Sequence, residues 1–330
     1  MLYGIQMALS QPGLLVRQMS NFDFSTSFSN SHFPNPIFTA SGCAGSGKEL
    51  AQFFSLAEIG AVVTKSIMLK ARSGRATPRM AETPSGMLNS IGLQGPGVDQ
   101  FLAEDIPFLQ KAGARIVVSI AGETVDDYGS LARRLRGIAG VCAVEVNISC
   151  PNVENRGQVF ACDLIASRAV VEVVRRTLGG ELPIIVKLSP DVTDIVAIAS
   201  EVISAGADGL ALINTLLGMV IDIDSMRPKL GGKTGGLSGP AIRPVAVRAI
   251  YQVHQAFPKT PILGMGGVSN GRDALELVLA GASGISIGTA TFGNPTAVIN
   301  VKEDLEKLLI ERGFSTFKEA IGFAHRGENG

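Results

Sequence analysis

The chain has 330 residues, of which 46% are hydrophobic and 18% charged, so it can bury a large core and does not read as disordered. Its 29 basic and 29 acidic residues cancel without a long run of one sign, which argues against nucleic acid or a membrane surface held by bulk charge. Four cysteines without C-x-x-C spacing and three isolated histidines argue against a disulfide framework, an iron–sulfur site, another metal site or a histidine triad within this chain, and suit a reduced, cytoplasmic setting.

In chain order, residues 1–20 carry an apolar patch without a basic leader and read as an N-terminal extension of unassigned role; residues 21–330 read as one domain. Phe22, Phe24 and Phe28 alternate with polar residues before His32-Phe33-Pro34 and predict a small hairpin closing the bottom of the fold. Eight short apolar runs follow: Ile37–Ala40, Ala61–Lys65, Ile116–Ile120, Ala143–Ile148, Ile184–Leu188, Gly209–Ile213, Pro261–Met265 and Gly284–Ile287. They are nearly continuous rather than alternating, as in parallel strands covered on both faces. Between them lie helical patterns, such as Ile195, Ile198, Ala199 and Val202 with Thr193 as the cap and Gly206 as the stop. Leu275, Val278 and Leu279 form another such stripe, ending at Gly281. Eight strands alternating with helices predict an α/β fold, a single (β/α)₈ TIM barrel with extended βα loops; an open doubly wound sheet is the alternative.

Chemistry in such a barrel gathers after the strands. Strand one runs into Ala40-Ser41-Gly42, strand two into Lys65-Ser66 and strand four into Asn147-Ile148-Ser149-Cys150-Pro151-Asn152. Strand five carries Lys187, and strand six ends in Asn214-Thr215. Gly266-Gly267 and Gly288-Thr289 close strands seven and eight, where backbone N–H groups approach an anion closely; tight turns alone would also explain these glycines. Lysines at the ends of buried strands need an anionic or electron-rich neighbour unless their heads reach solvent, so Lys65 and Lys187 beside a phosphate cradle suggest a phosphorylated cofactor such as a flavin. Residues 82–97 read as a long loop with Asn89 as its working residue, and 231–240 as a flexible glycine-rich loop bringing Gly239 near the cofactor.

Asn147-Ile148-Ser149-Cys150-Pro151-Asn152, Asn89-x-x-Gly92-Leu93, Lys187-Leu188-Ser189-Pro190 and the run from Ile213 to Pro240 resemble the dihydroorotate dehydrogenases, in particular the class 1B catalytic subunits, over residues 21–310. The resemblance implies one FMN per chain and oxidation of dihydroorotate to orotate in pyrimidine biosynthesis. Cys150 would be the base that takes the C5 proton, and FMN would accept hydride from C6. A free thiol has a pKa of about 8.5, so activity should strengthen toward that pH unless the site shifts it. Lys65, Asn89, Asn147, Asn214 and Thr215 would hold the substrate, with Ser90, Ile91, Gly92 and Leu93 alongside. Ser41, Lys65, Ser66, Ser119, Asn147, Lys187, Ile213, Gly239, Gly266, Gly267, Gly288 and Thr289 would hold FMN. Gly95 and Ser119 stand where asparagine is common in the family.

Class 1B membership implies a homodimer, or a heterotetramer with an electron-transfer subunit that carries FAD and a 2Fe-2S cluster and reduces NAD. Three alternatives stay open: a dihydropyrimidine dehydrogenase-like FMN module, a class 1A enzyme using fumarate, and a phosphate-binding barrel without activity. A barrel resembling IMP dehydrogenase would use Cys150 as a nucleophile instead.

Overall fold

The computed structural model describes residues 22–148 and 163–327. The predicted N-terminal extension and Cys150 lie outside them.

Eight parallel strands form the barrel: β1 (Ile37–Thr39), β2 (Val62–Val63), β3 (Ile116–Ile120), β4 (Val141–Asn147), β5 (Ile184–Lys187), β6 (Gly209–Leu212), β7 (Ile262–Met265) and β8 (Gly284–Ile287). Each pairs with its neighbours in chain order, β8 pairs with β1, and a parallel bridge between Phe38 and Ala61 closes β1 on β2. The runner-up open sheet is thereby excluded. The strands deviate from prediction by a residue or two at their ends, as is usual. The largest change is β2, where the Lys65 N–H turns aside to donate to the Gly45 carbonyl instead of the ladder.

Alternation along each strand splits the core. Phe38, Ala61, Val63, Val117, Ala143, Ile185, Ala211, Leu263 and Met265 form an interior cluster, while intervening residues such as Val62, Val118, Val144, Val186 and Leu210 belong to the larger cluster under the helices. The interior is plugged from below by the predicted hairpin, Thr26–Phe28 against Ser31–Phe33. Thr26 Oγ1 donates to the Ser283 carbonyl at 2.6 Å and Ser31 Oγ to the Cys142 carbonyl at 2.6 Å, anchoring the hairpin at the starts of β8 and β4. Phe28 and Phe33 then pack against Phe38, with ring centroids 6.0 and 4.9 Å away. Ala61, Ala143 and Ala211 leave the volume those rings fill.

The helix Ile195–Ser204 is capped by Asp194, not by Thr193: Oδ1 of Asp194 accepts from the N–H groups of Val196 and Ala197 at 2.9 and 3.0 Å. A carboxylate satisfies two free amides and also meets the positive end of the helix dipole. Gly271–Ala280 ends at Gly281, which adopts φ +128°. Among the described residues no helix is long and apolar enough to cross a membrane.

The two segments expected as loops instead contribute strands to a second sheet over the barrel mouth, joined by Leu216–Met219. Its antiparallel order is Leu216–Met219, Thr234–Ser238, Gly86–Asn89 and Met80–Thr83. Its glycines permit close approach rather than flexibility. A Cβ on Gly235 would lie 2.7 Å from the Asn89 carbonyl oxygen, and one on Gly236 would collide with Thr215.

Candidate active site

Strand ends and the small sheet enclose a cavity of about 500 Å³. From the predicted set, Ser41, Lys65, Ser66, Asn89, Ile91, Leu93, Asn147, Lys187, Ile213, Asn214, Thr215, Gly239, Gly266, Gly267, Gly288 and Thr289 line it. Ser90, Gly92 and Ser119 do not. Ser90 is fully buried and its Oγ accepts a long hydrogen bond from Arg75 at 3.4 Å. Gly92 turns at φ +76° against Arg75, so its backbone packs behind the wall. Gly95 exchanges backbone hydrogen bonds with Arg72.

One connected set of polar side chains lies beneath the cavity. Asn147 Nδ2 donates to Ser66 Oγ at 3.0 Å, and Ser66 Oγ shares a 2.8 Å hydrogen bond with Ser119 Oγ. Ser119 Oγ in turn donates to Glu145 Oε1 at 2.8 Å. Ser119 thus acts one layer behind its expected position, holding the wall. Tyr128 Oη fixes the backbone of Asn147 by donating to its carbonyl at 2.9 Å. Lys187 Nζ donates to Ser41 Oγ at 3.1 Å and lies 3.9 Å from Glu145 Oε1.

On the opposite wall, Asn89 Nδ2 donates to the Gly236 carbonyl at 3.3 Å, coupling the small sheet to the cavity. Asn214 Oδ1 accepts from the Thr215 N–H at 2.9 Å, which sets the turn after β6. Thr289 Oγ1 donates to Ser238 Oγ at 2.8 Å, linking the β8 turn to the same sheet. Gly266 and Gly267 adopt φ +128° and +76°, and a Cβ on Gly267 would press on the Gly239 carbonyl at 2.9 Å. These three glycines bring bare backbone together where larger residues could not.

Burial lowers the pKa of Lys65, and Arg79 lowers it further by repulsion. Burial pushes the Cys43 thiol up to about 11 against the opposing pull of Lys187 and Lys65. Cys43, Met80, Met87, Met265 and Phe292 also line the cavity and were not predicted. Glu145, fully buried just below, was missed as well, although a carboxylate between Val144 and Val146 in an apolar run was a readable signal.

A closed (β/α)₈ barrel with a cavity at its strand ends, glycine turns after β7 and β8, and a buried lysine has the architecture of the barrel enzymes, whose active sites lie at that face. The dihydroorotate dehydrogenase family model matches residues 24–309, and the chain belongs to that family. It is 51% identical over 292 residues to a protein of Desulforudis audaxviator, covering 88% of this chain and 94% of that one. A protein of Desulforamulus reducens is 50% identical over 291 residues, with 88% and 95% covered. A Geobacter protein is 46% identical over 304 residues, with 92% and 99% covered. All three relatives are named dihydroorotate dehydrogenase B (NAD(+)), catalytic subunit.

Proposed function

We propose that this chain oxidises dihydroorotate to orotate on a bound FMN and passes the electrons to NAD through a separate subunit carrying FAD and a 2Fe-2S cluster. The observation that carries the reading is the convergence of Lys187, buried to 4% exposure, and the glycine turns of β7 and β8 on one cavity. That donor set fits a flavin mononucleotide. Bare backbone at Gly266, Gly267 and Gly288 suits a phosphate, with Thr289 beside it, and a buried ammonium suits an electron-rich ring. The cavity's volume also falls in the range of roughly 300–1,000 Å³ usual for cofactor-sized ligands.

When bound, FMN supplies the hydride acceptor for C6 of the substrate. The protein's own part is to take the C5 proton and to hold the ring. Cys150 is the proposed base: its thiolate takes the proton as the C5–C6 double bond forms, and the electron pair of the C6–H bond leaves as hydride. Lys65, Asn89, Asn147, Asn214 and Thr215 line the cavity, and their roles in this proposal are to hold the substrate, Lys65 pairing with its carboxylate and the carboxamides and hydroxyl meeting the ring amides. Ser41, Ser66, Ile213 and Gly239 complete the wall proposed for FMN.

Comparing turnover of dihydroorotate and dihydrouracil by the purified chain with an artificial acceptor tests the substrate. Preference for dihydroorotate by two orders of magnitude or more is expected, because Lys65 needs a carboxylate to pair with. Equal or reversed preference would favour a dihydropyrimidine dehydrogenase-like module.

A further inference from the structure

Glu145 lies in the middle of β4 and is 0% exposed. Ala143, two residues earlier, belongs to the barrel's interior cluster, so the carboxylate also points inward. Oε1 accepts from Ser119 and lies 3.9 Å from Lys187 Nζ, while Oε2 has no hydrogen-bond partner among the described residues. A carboxylate buried this way is costly, and an apolar side chain of similar size would fill the place more cheaply. Its charge therefore calls for a cation, and Lys187 is the one beside it. The other titratable groups on this cavity do not replace it. Cys43, in the turn after β1, stays a neutral thiol, and Lys65, in the turn after β2, forms no ion pair with Glu145 among the described residues.

We infer that Glu145 is a positioning residue: its buried carboxylate, 3.9 Å from Lys187 Nζ, acts with Ser41 to hold that ammonium directed into the cavity. The inference rests on the FMN reading for its ligand, but not for its electrostatics.

Glu145→Gln keeps volume and removes charge. FMN affinity of the full chain is measured at one pH for wild type, Glu145→Gln, Glu145→Asp, Lys187→Met and the Glu145→Gln/Lys187→Met double variant. Glu145→Gln should weaken affinity about tenfold when Lys187 is present and change it little where Lys187 is already Met, because its effect passes through that ammonium. Glu145→Asp, which keeps the charge, should recover part of the loss. A Glu145→Gln loss of equal size in both backgrounds is what a packing role gives, and it would overturn the inference.

Flavin-free protein supplies an independent arm. In Glu145→Gln the buried ammonium loses the carboxylate beside it, so Tm should fall, and adding Lys187→Met should recover part of that loss. If Glu145→Gln does not fold, the double variant should fold because it lacks the uncompensated cation; a double variant that is no better would count against the inference. Wild type that binds no FMN would remove the flavin reading, and the Tm arm would still decide the role of Glu145.

Discussion

Asn147 Nδ2 donates to Ser66 Oγ at 3.0 Å, tying the end of β4 to the turn after β2 and presenting the carboxamide at a fixed angle to the cavity. Ser66 is held in turn by Ser119, so the orientation of a cavity-facing group is set two side chains deep. Preorganisation of this kind lets a site bind a polar ring without first ordering its own donors.

Cys150→Ser should retain FMN and lose most dihydroorotate oxidation, because a hydroxyl is a far weaker acid than a thiol and no other base is proposed at β4. Flavin content and kcat measured on the same preparation check this. Unchanged turnover would remove Cys150 from the role of base.

Lys187→Ala should yield largely flavin-free protein. The substitution deletes the ammonium beside Ser41 and leaves Glu145 buried without a cation. The ratio of flavin to protein absorbance in the purified variant is the measurement, and full occupancy would contradict the placement of Lys187 at the flavin.

Gly236→Ala should raise KM for dihydroorotate about tenfold or more while flavin content holds. Its Cβ would meet Thr215, with Thr215 Cβ at 2.6 Å, and so push a proposed substrate contact out of place. Gly180→Ala, where a Cβ meets open space, should leave KM unchanged.

The barrel strands were legible because parallel strands buried on both faces leave unbroken apolar runs, Ile116–Ile120 being wholly buried. The sheet over the mouth was not. Gly86, Gly235 and Gly236 look like turn formers in sequence, yet each sits where a neighbouring backbone or side chain leaves no space for a Cβ. Strand-end position was enough to place Lys65, Lys187 and Asn214 at the cavity. It could not distinguish Ser119, whose side chain lies one layer down, from residues that reach the surface of the wall.

Stability should fall as pH drops through about 6.5. Burial lowers the pKa of His254 from its ordinary value of 6.5, and repulsion from His325 adds to that. Between the lowered folded value and 6.5 the unfolded chain binds more protons, so acid favours unfolding. His325 stacks on Tyr251 with centroids 3.9 Å apart, placing the C-terminal turn within this cluster. Thermal melts from pH 7.5 to 5.5 should show a steeper decline for wild type than for His254→Gln; parallel curves would rule His254 out.

Without a partner subunit the chain should reduce NAD negligibly while reducing an artificial acceptor readily. Rapid NAD reduction by the chain alone would contradict the proposed electron route.

The most direct test is anaerobic addition of dihydroorotate to the purified chain while following visible absorption. The account predicts a yellow protein that bleaches at one substrate per flavin and releases orotate. A yellow protein that stays yellow would contradict the proposed substrate, and a colourless protein that takes up no FMN would contradict the flavin site itself.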